Sequence, residues 1–194
     1  MIVKSVTEEA SLGISQASIV EDDDKLSERV AFIHNSVGSG ALIERYVEGR
    51  EFYVGILIGN GQLQVLPVWE LIMDKLPDDA NSHRDSERVK WSRKYQQKYG
   101  ITSREADNLP EGKTEEIQDL AKQVYRALGL NGYARIDMRM AADGQLYVLE
   151  ANPNPQIAEE EDFADSAKKA DYRYTELLQE ILNVGLRWRP AKAA

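Results

Sequence analysis

The chain has 194 residues, a formal net charge of −9 and no cysteine. That length holds one domain with a sizeable core or two small lobes, and the acidic balance argues against a general nucleic-acid binder, which would present a basic face. Without cysteine there is no disulfide, thiol nucleophile or cysteine-bound metal, and no apolar run or leader pattern points to a membrane, so a cytoplasmic domain with no nucleic-acid or membrane partner is expected. In chain order, residues 1–6 read as a strand, 7–15 as a loop and 14–20 as a second strand. Residues 21–35 read as a helix whose opening acids suit the positive end of its dipole. Residues 41–73 read as several strands, with a turn at Glu48-Gly49 and a hairpin signal at Asn60-Gly61. Residues 75–111 are polar and read as a long excursion with one short helix at 92–99. Next comes an amphipathic helix with Ile117, Leu120, Ala121, Val124, Ala127 and Leu128 on one face. The tail, 162–186, reads as two helices, the second carrying Leu177, Leu178, Ile181 and Leu182. The predicted class is α+β, with mostly antiparallel strands and flanking helices.

The stretch "ARIDMRMAADGQLYVLEANPNP" carries the chemistry. Taking Asp143-Gly144 as a two-residue turn sets Asp137 opposite Glu150 and Arg135 opposite Asn152. Strand alternation then places all four on one face, with Ile136, Leu149 and Ala151 on the other. Two acids directly opposite each other repel, and something must offset the cost. A divalent cation would, and so would a partner arginine; a plain solvated hairpin face is the third reading. An all-oxygen donor set of Asp, Glu and Asn suits Mg²⁺ or Mn²⁺ rather than Zn²⁺. Arg139 and Ala141, at the third and fifth positions from Asp137, exclude an EF-hand loop. Pro153 and Pro155 end the strand and stiffen the loop after it.

Together, "IVKS", "EEASLGIS", "LIERYVEGREF", "ARIDMR" and "LYVLEANPNP" resemble the ATP-grasp superfamily, in its D-alanine–D-alanine ligase-like branch. The resemblance covers nearly the whole chain. It implies an ATP-grasp fold with residues 1–47 as part of a small lobe, holding the phosphate loop and adenine hinge, and 48–194 as the C-terminal lobe with the Mg²⁺-binding hairpin. Asp137, Glu150 and Asn152 then look like the metal ligands. Arg135 looks like the catalytic cation for the phosphorylated intermediate. Lys4 looks like a phosphate contact, and Ser11 and Gly13 lie in the loop over the phosphates. Glu44 would accept from the adenine amino group, Arg45 and Val47 would meet the adenine through their backbones, and Glu51 would hold the ribose. Lys94 aligns only loosely with a substrate-side lysine.

The implied activity is ATP- and Mg²⁺-dependent ligation of a carboxylate to an amine, both amino-acid- or peptide-like, through an acylphosphate. It requires no side-chain nucleophile, in keeping with the missing cysteine and only two histidines, His34 and His83. The alternative is a non-catalytic nucleotide-binding or interaction module derived from such a ligase. Two features depart from the family. "NPNPQIAEEEDFADS" replaces the Thr/Ser-Pro-Gly run that holds the acceptor, and Glu159–Asp162 suits either a cationic acceptor or a helix start. The chain also opens only three residues before Lys4. An upstream lobe or a homodimer partner is therefore expected, and a chain that does not turn over alone.

Overall fold

A computed structural model describes residues 1–7, 14–59, 61–73 and 100–187. The expected phosphate-loop residues Ser11 and Gly13, Lys94, His83, Asn60 and the helix at 92–99 lie outside those residues. The chain forms two compact units, Met1–Val47 with Ile72–Thr102, and Glu48–Leu71 with Ser103–Ala194.

In the first unit, β1 (Ile2–Ser5) pairs antiparallel with β2 (Ala41–Glu44), Lys4 standing opposite Leu42. Helix α1 (Asp23–Phe32) starts at Asp22, whose side chain accepts from the Lys25 N–H at 2.8 Å. It runs into a π turn, Ile33–Val37, ended by Gly38 at φ 77°. Val3, Val20 and Ile33 form the core, with Leu26, Val30, Val37 and Ala41 packed around it. The strand expected at 14–20 is instead a 3-10 turn, Gln16–Ser18, followed by a single bridge from Ile19 to Ile2. The cause is local. The Ser15 N–H donates to the Ser18 hydroxyl at 3.0 Å and the Ser18 N–H to the Ser15 carbonyl at 2.9 Å, which closes a turn that competes with extended backbone.

The five-stranded sheet has the order β5-β4-β3-β6-β7. Its members are β3 (Arg50–Gly59), β4 (Gln62–Met73), β5 (Ile101–Glu105), β6 (Tyr133–Met140) and β7 (Leu146–Asn152). Strand β5 occupies part of the stretch expected to be a polar excursion. With Ser103, Arg104 and Glu105 it has too little apolar alternation to read as a strand from sequence. Gly59 of β3 pairs with Gln62 of β4, and Gly61 takes φ 78°, a left-handed conformation that favours glycine.

One face of the sheet is covered by α2 (Lys113–Ala127), whose Ile117, Ala121 and Tyr125 pack with Phe52, Val54, Ile56, Ile136 and Met138. Ala127 and Leu128, expected on that face, are exposed. Leu128 caps the helix, and Tyr125 takes the buried position. On the other face, α3 (Asp162–Lys169) and α4 (Tyr174–Arg187) bring Phe163, Ala164, Ala167 and Leu177 onto Leu57 and Leu66. In α4, Leu177 is buried and Ile181 packs beside it, whereas Leu182 is exposed. Gly55 permits this approach, since a Cβ there would lie 2.7 Å from Leu66 Cδ1 and 3.1 Å from the Phe163 ring. The β3–β4 ladder slips beside it, between Val54 and Ile56, where β4 carries Pro67. The Pro67 carbonyl accepts from the Ser166 hydroxyl at 2.7 Å.

The β6–β7 hairpin has the expected pairings, Arg135 with Asn152 and Asp137 with Glu150, but reaches them differently. The turn is longer than two residues. The Ala141 N–H bonds Gln145 O, the Gly144 N–H bonds Ala141 O, and Gly144 takes φ 84°. That geometry shifts the register by one through Met138–Val148. A bulge between Asp137 and Met138 shifts it back, and Leu149, expected on the core face opposite Met138, becomes the extra residue of β7. Unbulged, the ladder would set Glu150 opposite Ile136 on the core side.

Candidate active site

The second unit gathers Glu51, Arg135, Asp137, Glu150 and Asn152. Glu51 pairs with Arg139 across the β3–β6 ladder, and Tyr53 pairs with Asp137. Alternation along β3 and β6 then puts Glu51, Tyr53, Arg135, Asp137 and Arg139 on one face, with Glu150 and Asn152 continuing it on β7. Helices α3 and α4 cover this face over Leu57, Leu66 and Tyr133, and the first residue of α3, Asp162, reaches toward Arg135.

A partner arginine offsets the Asp137 charge. Arg135 Nε donates to Asp137 Oδ1 at 2.7 Å and another guanidinium nitrogen, Nη2, to Oδ2 at 2.8 Å. Asp137 is 3% exposed, so this two-pronged pair is nearly dry. The guanidinium lies 4.7 Å from the Tyr53 ring centroid, and Nη1 stands 3.9 Å from Asp162 Oδ2. Burial alone would pull the Arg135 pKa down, but the hydrogen bonds and charge of Asp137 outweigh it and raise it above the ordinary value. Tyr53 is held protonated well past its usual range, by burial first and then by the charges of Glu51, Asp137 and Asp162. Its hydroxyl donates to Glu51 Oε1 at 3.0 Å, while Arg139 Nη2 engages Glu51 Oε2.

Glu150 is exposed, and Asn152 Oδ1 accepts from the Asn154 N–H at 2.9 Å. Asp137, Glu150 and Asn152 form an all-oxygen donor set suited to a hard divalent cation, and Arg135 is the positive charge now standing beside it. Among the described residues, no group of three or more His, Cys, Asp or Glu is placed to hold a metal ion, the hairpin face included.

Lys4, Glu44, Arg45 and Val47 belong to the first unit. Lys4 Nζ and Glu44 Oε2 are 2.6 Å apart, a direct ion pair between the expected phosphate contact and the expected adenine acceptor. Arg45 and Val47 lie just beyond the end of β2. The acidic run resolves as a helix start. Glu161 is the N-cap of α3, and Asp162 and Asp165 stand in its first turn.

Sequence reasoning gave Tyr53, Arg139 and Ser103 no place in the site, and named Asp162 only within the acidic run. Tyr53 and Arg139 were detectable by alternation, lying two residues from Glu51 and Asp137. The Ser103 hydroxyl, which donates to Asp162 Oδ1, was not, because β5 went unrecognised.

Residues 1–183 match the family described as D-ala D-ala ligase C-terminus. An uncharacterised Sinorhizobium fredii protein, y4sG, is 28% identical over 96% of this chain and 52% of its own length. The D-alanine–D-alanine ligase of Desulforudis audaxviator is 28% identical over 95% of this chain and 55% of its own. The crystal structure of D-alanine–D-alanine ligase from Bacillus anthracis complexed with ATP superposes with a TM-score of 0.67 at 25% identity, covering 88% of this chain and 49% of that one. The chain thus spans about half the length of the curated relatives it matches. No helix among the described residues is long and apolar enough to cross a membrane.

Proposed function

The chain belongs to the D-ala D-ala ligase C-terminus family, and from that premise we infer that it carries the nucleotide and phosphoryl-transfer site of an ATP- and Mg²⁺-dependent carboxylate–amine ligase. The observation that carries this reading is the hairpin, where a bulge keeps Asp137 opposite Glu150 and Arg135 opposite Asn152 on one face.

In this reading Asp137, Glu150 and Asn152 hold Mg²⁺ or Mn²⁺, and the ion supplies charge neutralisation and alignment of the ATP phosphates. Arg135, whose Nε and Nη2 rest on Asp137, would turn part of its guanidinium to the transferred phosphoryl group and to the charge developing at the acyl centre once Asp137 is taken by the metal. Lys4 and the loop bearing Ser11 and Gly13 contact the phosphates. Glu44 accepts from the adenine amino group, Arg45 and Val47 meet the ring through their backbones, and Glu51 takes the ribose hydroxyls. The carboxylate oxygen of the donor substrate attacks the γ-phosphorus, and the bond to the bridging oxygen breaks toward ADP. The acceptor amine then attacks the acyl carbon, phosphate departs with the bonding electrons, and the amine loses a proton. No side-chain nucleophile takes part. Because "NPNPQIAEEED" stands where these ligases hold their acceptor, the acceptor class is an amino acid or peptide-like amine rather than D-alanine in particular.

A second reading is a nucleotide-binding or interaction module without turnover. The observation favouring it is that the charged groups already engage one another, Lys4 with Glu44 and Arg135 with Asp137.

Titration with Mn²⁺ and ATP or ADP tests the site, and binding is expected to vanish in Asp137→Asn/Glu150→Gln. A double variant that binds as well as the parent removes the assignment. ATP should bind better than GTP, because guanine offers a carbonyl to Glu44; one buried acceptor–acceptor mismatch costs about 1–3 kcal/mol, roughly 5- to 150-fold. Equal affinities would sink the adenine hinge. Amine-dependent ADP release across a panel of amino acids and dipeptides separates ligase from module.

A further inference from the structure

Beyond the residues that resemble the family's site, Asp162 stands close to Arg135 without a direct hydrogen bond. We propose that Asp162 is a positioning residue, the carboxylate onto which Arg135 transfers when a divalent cation takes Asp137, so that it sets metal affinity without touching the metal. This rests on the reading of Asp137 as a metal ligand.

The geometry has four parts. Both Asp137 oxygens are engaged by Arg135, through Nε and Nη2 at 2.7 and 2.8 Å. A cation arriving at Asp137 therefore meets a guanidinium already on it, and two positive groups on one carboxylate repel. The remaining nitrogen, Nη1, stands 3.9 Å from Asp162 Oδ2, too long for a hydrogen bond. Closing that gap needs a shift of about 1 Å, since charge-assisted bonds of this type settle near 2.7–2.9 Å. The Tyr53 ring centroid lies 4.7 Å from the guanidinium carbon, so a shift of about 1 Å keeps the cation within reach of the ring face.

Asp162 is built to receive it. The Ser103 hydroxyl donates to Asp162 Oδ1, which fixes the carboxylate and leaves Oδ2 toward Arg135. As the first residue of an eight-residue helix, Asp162 also sits at the end of α3 that favours a negative charge. Without this second carboxylate, Arg135 has only Asp137 as a carboxylate partner and holds it against an incoming metal. Partners that orient metal ligands typically change metal affinity about 10- to 100-fold when removed.

The test is Mn²⁺ binding in the presence of ADP, read by the electron paramagnetic resonance of free Mn²⁺. Mg²⁺ titration followed by the ¹⁵N resonance of the Arg135 side chain accompanies it. Asp162→Asn should weaken Mn²⁺ binding by about tenfold, and Asp162→Glu should restore part of the loss. Ser103→Ala, which keeps the carboxylate but frees it to rotate, should give a smaller loss in the same direction. In the parent, Mg²⁺ should move the Arg135 Nε signal; in Asp162→Asn the signal should hold its metal-free position to higher Mg²⁺. A purely structural role for Asp162 would lower stability and leave both readouts unchanged. If Asp137→Asn abolishes Mn²⁺ binding while Asp162→Asn and Ser103→Ala bind like the parent, the transfer is overturned and the metal site stands. If Asp137→Asn binds like the parent, the metal reading and the transfer both fall.

Discussion

Replacing Glu70 by alanine should destabilise the protein strongly even though Glu70 belongs to no expected site. Its carboxylate is 5% exposed and accepts from Arg50 Nε at 2.6 Å and Nη2 at 2.7 Å. Arg50 also donates to the carbonyls of Asp107 at 2.6 Å and Asn108 at 3.2 Å and lies 5.3 Å from the Phe52 ring centroid. One arginine therefore fastens β3 to β4 and to the segment after β5. Breaking a fully buried pair by removing one partner costs about 3–5 kcal/mol. The Arg50 side chain is a third exposed, so water recovers part of its solvation after truncation. The expected loss is thus about 2–3 kcal/mol, roughly a 30- to 150-fold shift in the unfolding equilibrium. Urea titration of the parent, Glu70→Ala, Arg50→Met and the double variant gives the pairwise coupling directly. The double variant should be more stable than the sum of the single losses predicts, because no buried charge is left alone. A single-variant loss below about 0.5 kcal/mol, the range of ordinary surface changes, would refute the reasoning.

Gly49→Ala should cost about 3 kcal/mol or more: the residue has φ 149°, and its Cβ would stand 1.9 Å from the Met140 carbonyl oxygen. A melting midpoint equal to that of the parent would show that β6 yields there more easily than the packing implies. Tyr53 makes stability fall at alkaline pH. The unfolded chain releases this proton near pH 10 while the folded one keeps it, so its contribution is complete below about pH 10 and is lost as pH rises through the folded value. Unfolding free energies at pH 8 to 11 should decline less steeply for Tyr53→Phe, and identical slopes would rule the effect out.

How far the sequence carries depends on the range of the interaction that decides each element. The site-facing pairs of the hairpin were expected from a two-residue Asp-Gly turn that the structure does not have, and they hold only because the bulge at Leu149 takes up the difference; the helix over Ile117 and Ala121 was legible because its apolar period runs over four turns. The strand at 14–20 failed because two serine hydrogen bonds three residues apart outweigh a weak extended preference. β5 failed because it lies at the sheet edge and needs no apolar alternation of its own. In the site, residue types gave the facing acids and a partner arginine as one way to offset them, but not that Arg135 would hold both oxygens of Asp137. The residues around that lock, Tyr53, Asp162 and Ser103, come from three separate elements, and only the folded sheet brings them together.

The bulge at Leu149 decouples the tip of the hairpin from its chemistry. Between Met138 and the turn the two strands keep one parity; beyond the bulge, at Asp137 and Arg135, they keep the other. Loss of Leu149 alone joins the two registers into one regular ladder, with Met138 still opposite Val148 and Asp137 still opposite Glu150. A single-residue deletion at Leu149 should therefore be tolerated, whereas a deletion beyond the bulge, between Glu150 and Asn152, moves the site-facing pairs out of register. Length variation among homologues here should fall at Leu149 or at the tip and spare the stretch from Glu150 to Asn152.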